Sequence, residues 1–144
     1  MFHKILLPVD IDYPETASAV YQSAAEIAKP SGAEIRLISV MPGFGMPIVA
    51  SFISNDTRKE IVNRLKESLE AFINDHCDEP VSYEVSTGKN WEEIIKSANK
   101  CEADLIVIYH DHRRDINEVH SGSCARRVTE NADCSVLWLR DLRN

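Results

Sequence analysis

The chain has 144 residues, enough for one domain with a sizeable core, and its 44% hydrophobic and 27% charged content is that of an ordinary globular protein. A net charge of −7 argues against general nucleic-acid binding, which draws its affinity from Lys and Arg neutralising phosphates. No apolar run approaches the roughly 20 residues of a membrane-spanning helix, and the opening Met1-Phe2-His3-Lys4-Ile5 lacks the apolar stretch of a secretory signal.

Short apolar runs alternate with longer segments of helical period. Ile5-Leu6-Leu7-Pro8-Val9-Asp10 predicts a buried strand, with Pro8 near its end, where a missing ladder hydrogen bond matters least. Pro14-Glu15-Thr16 opens a helix whose Ala17, Val20, Ala24 and Ile27 share a face, and Pro30-Ser31-Gly32 stops it. The alternation in 33–40 predicts a second strand with one partly covered face. Residues 41–55 place Pro42, Gly43, Gly45 and Pro47 in an otherwise apolar segment, the composition of a lid or an interface element. Asn55 or Asp56 is expected to cap a second helix with Ile61, Leu65, Leu69 and Phe72 as its buried stripe. Residues 80–86 predict a weaker third strand. Asn90-Trp91-Glu92-Glu93 has the spacing of a capping box for a third helix that turns Trp91, Ile94, Ile95 and Ala98 inward.

The continuous Leu105-Ile106-Val107-Ile108-Tyr109 fits the centre of a sheet covered on both faces. A polar loop over 110–120 leads to a fourth helix from Ser121-Gly122-Ser123, with Ala125, Val128 and Ala132 on one face, and to a fifth strand over 135–139. Five strands alternating with four helices, without repeat or linker, predict one α/β domain over 1–144. Its core is an open five-stranded parallel sheet with helices on both faces, Rossmann-like, joined by right-handed crossovers.

In such sheets ligands bind beyond the carboxyl ends of the strands, where the strand order reverses. The first strand and the most buried later strand are the natural neighbours there, which selects Asp10 and the segment 110–123. Ser121-Gly122-Ser123 has two readings. Its bare N–H groups and positive dipole end favour an anion, with Gly122 allowing close approach and the Ser121 and Ser123 hydroxyls donating. The same tripeptide is also a sufficient N-cap without any ligand. Asp10 likewise either meets a ligand or, with Asp12, caps the turn into the first helix.

Other constellations are weaker. His110-Asp111-His112 with His120 has metal-ligating residue types, but the pair lies past the strand end, neither Cys124 nor Asp115 completes a zinc spacing, and no metal site is assigned. Ser121 or Ser123 near His110 or His120 lacks a G-x-S-x-G elbow and an orienting acid, so no hydrolase is expected. The four cysteines, Cys77, Cys101, Cys124 and Cys134, form no CxxC and are read as free thiols in a cytoplasmic protein. Cys124, in the first turn of the fourth helix, is either a packed small residue or a redox-sensitive thiol lowered in pKa by the dipole.

Four runs in this order and spacing resemble the universal stress protein family over essentially the whole chain: Lys4-Ile5-Leu6-Leu7-Pro8-Val9-Asp10, Ala103-Asp104-Leu105-Ile106-Val107-Ile108, Gly122-Ser123 and Cys134-Ser135-Val136-Leu137. The resemblance implies an adenine-nucleotide-binding fold in which the backbone of Val9 and Val40 frames the adenine, Asp10 meets the nucleoside, and Pro8 belongs to the same strand-end motif. The family's ATP-binding pattern is G-x2-G-x9-G-[ST]; here its first two glycines fall on Tyr109 and His112, and Gly122-Ser123 remains. The loop His112-Arg113-Arg114-Asp115-Ile116 resembles a subgroup with His-Arg-Pro-Asp-Ile, Arg114 standing for the proline. Arg113 and Arg114 either supply positive charge to phosphates in place of the lost glycine amides or are solvated loop charges.

The resemblance implies a homodimeric stress-response module that binds ATP or a related adenine nucleotide, with Mg2+ accompanying it and at most weak ATP hydrolysis. The alternative is a stress protein without nucleotide that works through contacts with a protein partner. The homodimer is expected through the terminal strand and its Trp138, an apolar edge that the tail 140–144 would otherwise have to blunt.

Overall fold

The computed structural model describes residues 1–42, 54–110 and 119–140. In chain order its elements are β1 (Lys4–Pro8), α1 (Pro14–Ala28), a 3-10 turn (Lys29–Ser31), β2 (Glu34–Pro42), α2 (Asn55–His76), β3 (Ser82–Gly88), α3 (Asn90–Cys101), β4 (Leu105–His110), α4 (Gly122–Asn131) and β5 (Ser135–Arg140). The strands form one sheet in the order β3-β2-β1-β4-β5, and every neighbouring pair is parallel. The order reverses between β1 and β4: Ile5 pairs with Ile35 on one side and with Leu105 on the other.

Strand period two explains the two cores. Ile5, Leu7 and Val9 turn to one face, where they pack with Leu37, Val107 and Tyr109 under Ala17, Val20 and Tyr21 of α1 and Leu69 and Phe72 of α2. Leu6 turns to the other, joining Ile38, Ile106 and Ile108 under Ile94 and Ala98 of α3 and Ala125 and Val128 of α4. Ile5, Leu6 and Leu7 are fully buried, each contributing about 2 kcal/mol of transfer free energy.

The alternation of elements, the parallel sheet and the pairing of β1 with β4 agree with the sequence-based expectation, while several local details differ. β1, not β4, is the central strand. β2 is buried on both faces over 37–41, because α3 covers the face that the alternation left open. Ser54 caps α2, its hydroxyl accepting from the Thr57 amide at 3.1 Å, so Asn55 and Asp56 lie inside the helix. The expected capping box at α3 does not form: Lys89 is the N-cap, and the Glu93 carboxylate accepts instead from the Ser86 hydroxyl of β3 at 2.6 Å. Pro30 does not simply stop α1 but sits in the 3-10 turn, which Gly32 ends with a φ of 66°.

Asp104 ties the amino ends of β1 and β4 together. Its Oδ2 accepts from the His3 amide at 2.8 Å, its Oδ1 from the Lys4 amide at 3.0 Å, and its own amide donates to the Lys4 carbonyl. Desolvation is the largest single influence on this carboxyl and works upward, but the hydrogen bonds led by the Lys4 and His3 amides together outweigh it and hold the pKa below the ordinary value. A depressed folded-state pKa stabilises above the unfolded value of about 3.9, and the contribution is lost as pH falls through the folded one. Asp104→Asn is therefore expected to lower stability at pH 7 by about 1 kcal/mol or less, given the exposure of the site. In urea unfolding followed by circular dichroism the gap to the wild type should narrow below about pH 4.

Candidate functional site

At the carboxyl ends of β1 and β2, beside the reversal of strand order, the sheet opens into a cleft of about 400 Å³, within the range of small-molecule sites. β1 and the turn after it contribute Val9, Asp10, Ile11, Asp12 and Tyr13, and β2 contributes Ser39, Val40 and Met41. α2 supplies Ile61, Arg64, Leu65 and Ser68, and Asn90 and Val119 complete the lining.

The backbone of this region is tightly held. Pro8 has no amide to give the ladder, and the Val9 amide resumes it, donating to the Ile38 carbonyl at 2.9 Å. Asp10 then folds the chain into a turn: its Oδ1 accepts from the Asp12 amide at 3.0 Å and its carbonyl from the Tyr13 amide at 3.1 Å. The turn-building reading of Asp10 is met, and the same residue also lines the cleft. Val9 and Val40 are buried beside it, whereas Pro8 is buried in the strand and does not line the cleft.

The start of α4 is held by its own residues. Ser121, 2% exposed, is the N-cap, its Oγ accepting from the Cys124 amide at 3.1 Å. The ring of His110 lies directly on Gly122: a Cβ there would sit 2.9 Å from Nε2 and 3.0 Å from Cε1. The glycine is needed for this ring, which in turn approaches Trp138 with centroids 5.6 Å apart. Ser123, on the first turn of α4, is half-buried. Tyr109 is a core residue of the α1 face, packed edge-on against the buried His120 at 5.3 Å, and takes no part in the cleft. His112, Arg113 and Arg114 lie outside the described residues, as does most of the apolar 41–55 segment.

Two parts of the site escaped the reading of the sequence. The spacing places Ile61 and Leu65 in the core stripe of α2, but they are half-exposed and line the cleft, while the buried residues of the helix, Leu69 and Phe72, lie further along it. The signal was the spacing 61, 64, 65, 68, one helix face that mixes apolar residues with Arg64 and Ser68. The second is the seat of His110 on Gly122: strand period turns His110 to the face opposite Tyr109, but the contact itself depends on where α4 starts. Cys124 does not have a dipole-lowered pKa: burial pushes its thiol up to about 12, against the weaker pull of the helix start. No group of three metal-ligating side chains occurs among the described residues, so the accompanying Mg2+ finds no support there.

Residues 1–140 match the family model described as the universal stress protein family. The chain is 28% identical over 148 aligned positions to a universal stress protein of Methanocaldococcus jannaschii, covering 97% of this chain and 83% of that one. Solved structures that share the fold include the following two. The hypothetical protein MJ0577 has a TM-score of 0.76 at 23% identity, with 100% of this chain and 99% of that chain covered. The universal stress protein from Archaeoglobus fulgidus, in complex with dAMP, has a TM-score of 0.60 at 22% identity, with 94% of this chain and 96% of that chain covered.

The contact between His110 and Gly122 is testable on its own. Gly122→Ala is expected to cost about 1 kcal/mol, since the added methyl must push the imidazole aside. In a His110→Ala background the same substitution should cost little, and a double-mutant cycle in denaturant unfolding measures the coupling.

Proposed function

Because the chain belongs to the universal stress protein family, we propose that it is a regulatory module that binds an adenine nucleotide in the cleft at the ends of β1 and β2. The observation that carries this reading is the cleft itself, of about 400 Å³, lined by Val9, Asp10 and Val40 at the switch point of the sheet. Val9 and Val40 offer apolar surface and strand-end backbone to a flat base. Asp10 accepts a hydrogen bond from the nucleoside, with its turn already formed and little left to order on binding. A fold relative in complex with dAMP supports the ligand class. Arg113 and Arg114 assist at the phosphates. No group in the cleft is assigned a catalytic step, and the bound state of the module is its signal.

The nucleoside end fits this chain better than the triphosphate end. Two glycines of the phosphate pattern are Tyr109 and His112, and the third, Gly122, lies under the His110 ring with Ser121 already capping its helix. Mass analysis of small molecules released by denaturing the freshly purified protein, together with calorimetric titration of AMP and ATP, tests the proposal. Near-stoichiometric adenine nucleotide is expected, and Asp10→Asn, which keeps the turn acceptor but removes the charge, should weaken binding about tenfold. An empty protein that gives no heat with either ligand would contradict it and favour the alternative of action through protein contacts alone.

We also propose that the module is a homodimer joined through β5. The strand lies at the edge of the sheet, and Leu137 on it is 36% exposed. Such an edge presents unpaired backbone groups and apolar side chains that a second copy covers. Leu137→Lys is expected to convert the dimer to monomer in sedimentation velocity, whereas a dimer of unchanged stability would exclude this interface.

A further inference from the structure

Arg64 is the cation of the cleft. Among the described residues that line it, Asp10 and Asp12 carry negative charge and Arg64 carries the positive charge. The guanidinium is already engaged, its Nη2 lying 2.8 Å from Oε1 of Glu60 one turn earlier on α2. Both side chains are largely exposed, 75% and 63%. A solvated i,i+4 pair of this kind holds weakly, so Arg64 can exchange its carboxylate for another anion at small cost. The other anion-favouring feature nearby, the start of α4, is occupied by the Ser121 cap and the His110 ring.

We propose that Arg64 recognises the phosphate of a nucleoside monophosphate bound in the cleft, leaving Glu60 to do so, and that Glu60 is the competing anion that sets the strength of this contact. The inference rests on the reading of the cleft as a nucleotide site and adds the group that reads the phosphate. A planar guanidinium pairs with one phosphate in a two-point contact. Ile61 and Leu65 lie beside Arg64 on the same helix face and line the same cleft, so its aliphatic stem has apolar surface to lie along. Asp10 and Asp12 repel further charge, which selects one phosphate over three.

Calorimetric titration of adenosine, AMP and ATP into the full chain separates the phosphate from the nucleoside. The wild type is expected to bind AMP about tenfold more tightly than adenosine, and ATP no more tightly than AMP. Arg64→Gln should erase the preference for AMP and leave adenosine unchanged, while Glu60→Gln should enlarge it a few-fold. Thermal unfolding of both variants reports that the fold is intact, as expected for exposed positions on α2. If Arg64→Gln keeps the preference for AMP, or if the preference disappears instead in the double variant Arg113→Gln, Arg114→Gln, the assignment of Arg64 is wrong. Tighter binding of ATP than AMP would overturn the selection for one phosphate. Failure of the wild type to bind either adenosine or AMP would overturn the nucleotide reading itself, a result distinct from the loss of Arg64's role alone.

Discussion

The reversal of strand order between β1 and β4 is the constraint from which the rest of the molecule follows. After β1 the chain turns toward β2, and after β4 it turns toward β5, so the connections leaving these two neighbours diverge. Beside this reversal a crevice opens beyond β1, and the residues that follow β1 and border β2 become its lining. Asp10 occupies this place because the ladder ends at Pro8 and Val9, and because its side chain can fold the next residues into a turn. The apolar content of β1 serves both purposes, anchoring the centre of the sheet on two cores and fixing the strand end that the cleft is built on.

Around this frame, the site is decided by competition between neighbouring effects. The start of α4 has the dipole and bare amides that attract an anion, yet Ser121 satisfies one amide and His110 covers Gly122. Burial of the Cys124 thiol outweighs the dipole at the same helix end. Half-buried charge is placed away from the cleft and paired: Arg36 of β2 meets Glu84 of β3 at 3.4 Å, and Ser97 of α3 donates to the same carboxylate at 2.8 Å. That trio clamps α3 to the β3 edge of the sheet, while the cleft keeps an exposed and exchangeable pair, Arg64 with Glu60.

Hydrophobic period carried most of the fold, because runs such as Leu105–Tyr109 and the helix stripes leave few alternatives for burial. The position of Asp10 at the cleft followed from topology alone. Helix ends were less readable: Ser54 and Lys89, rather than Asn55 and Asn90, are the caps, since a shift of one residue costs little and is settled by packing. The wall of the cleft on α2 was not legible for a different reason. Ile61 and Leu65 have the same spacing as core residues, and their place at the cleft rather than on the sheet is a tertiary property. The covering of Gly122 by His110 likewise depends on the distance between the end of β4 and the start of α4, which no local pattern records.

The central claim, that the strand ends of β1 and β2 hold an adenine nucleotide, is tested most directly by backbone amide chemical shifts recorded by NMR through a titration with AMP. The account predicts saturable shifts concentrated at Val9, Asp10, Val40 and residues 61–68, with small changes at Gly122 and Ser123. An unchanged spectrum, or shifts confined to the start of α4 while Val9, Asp10 and Val40 stay still, would contradict it.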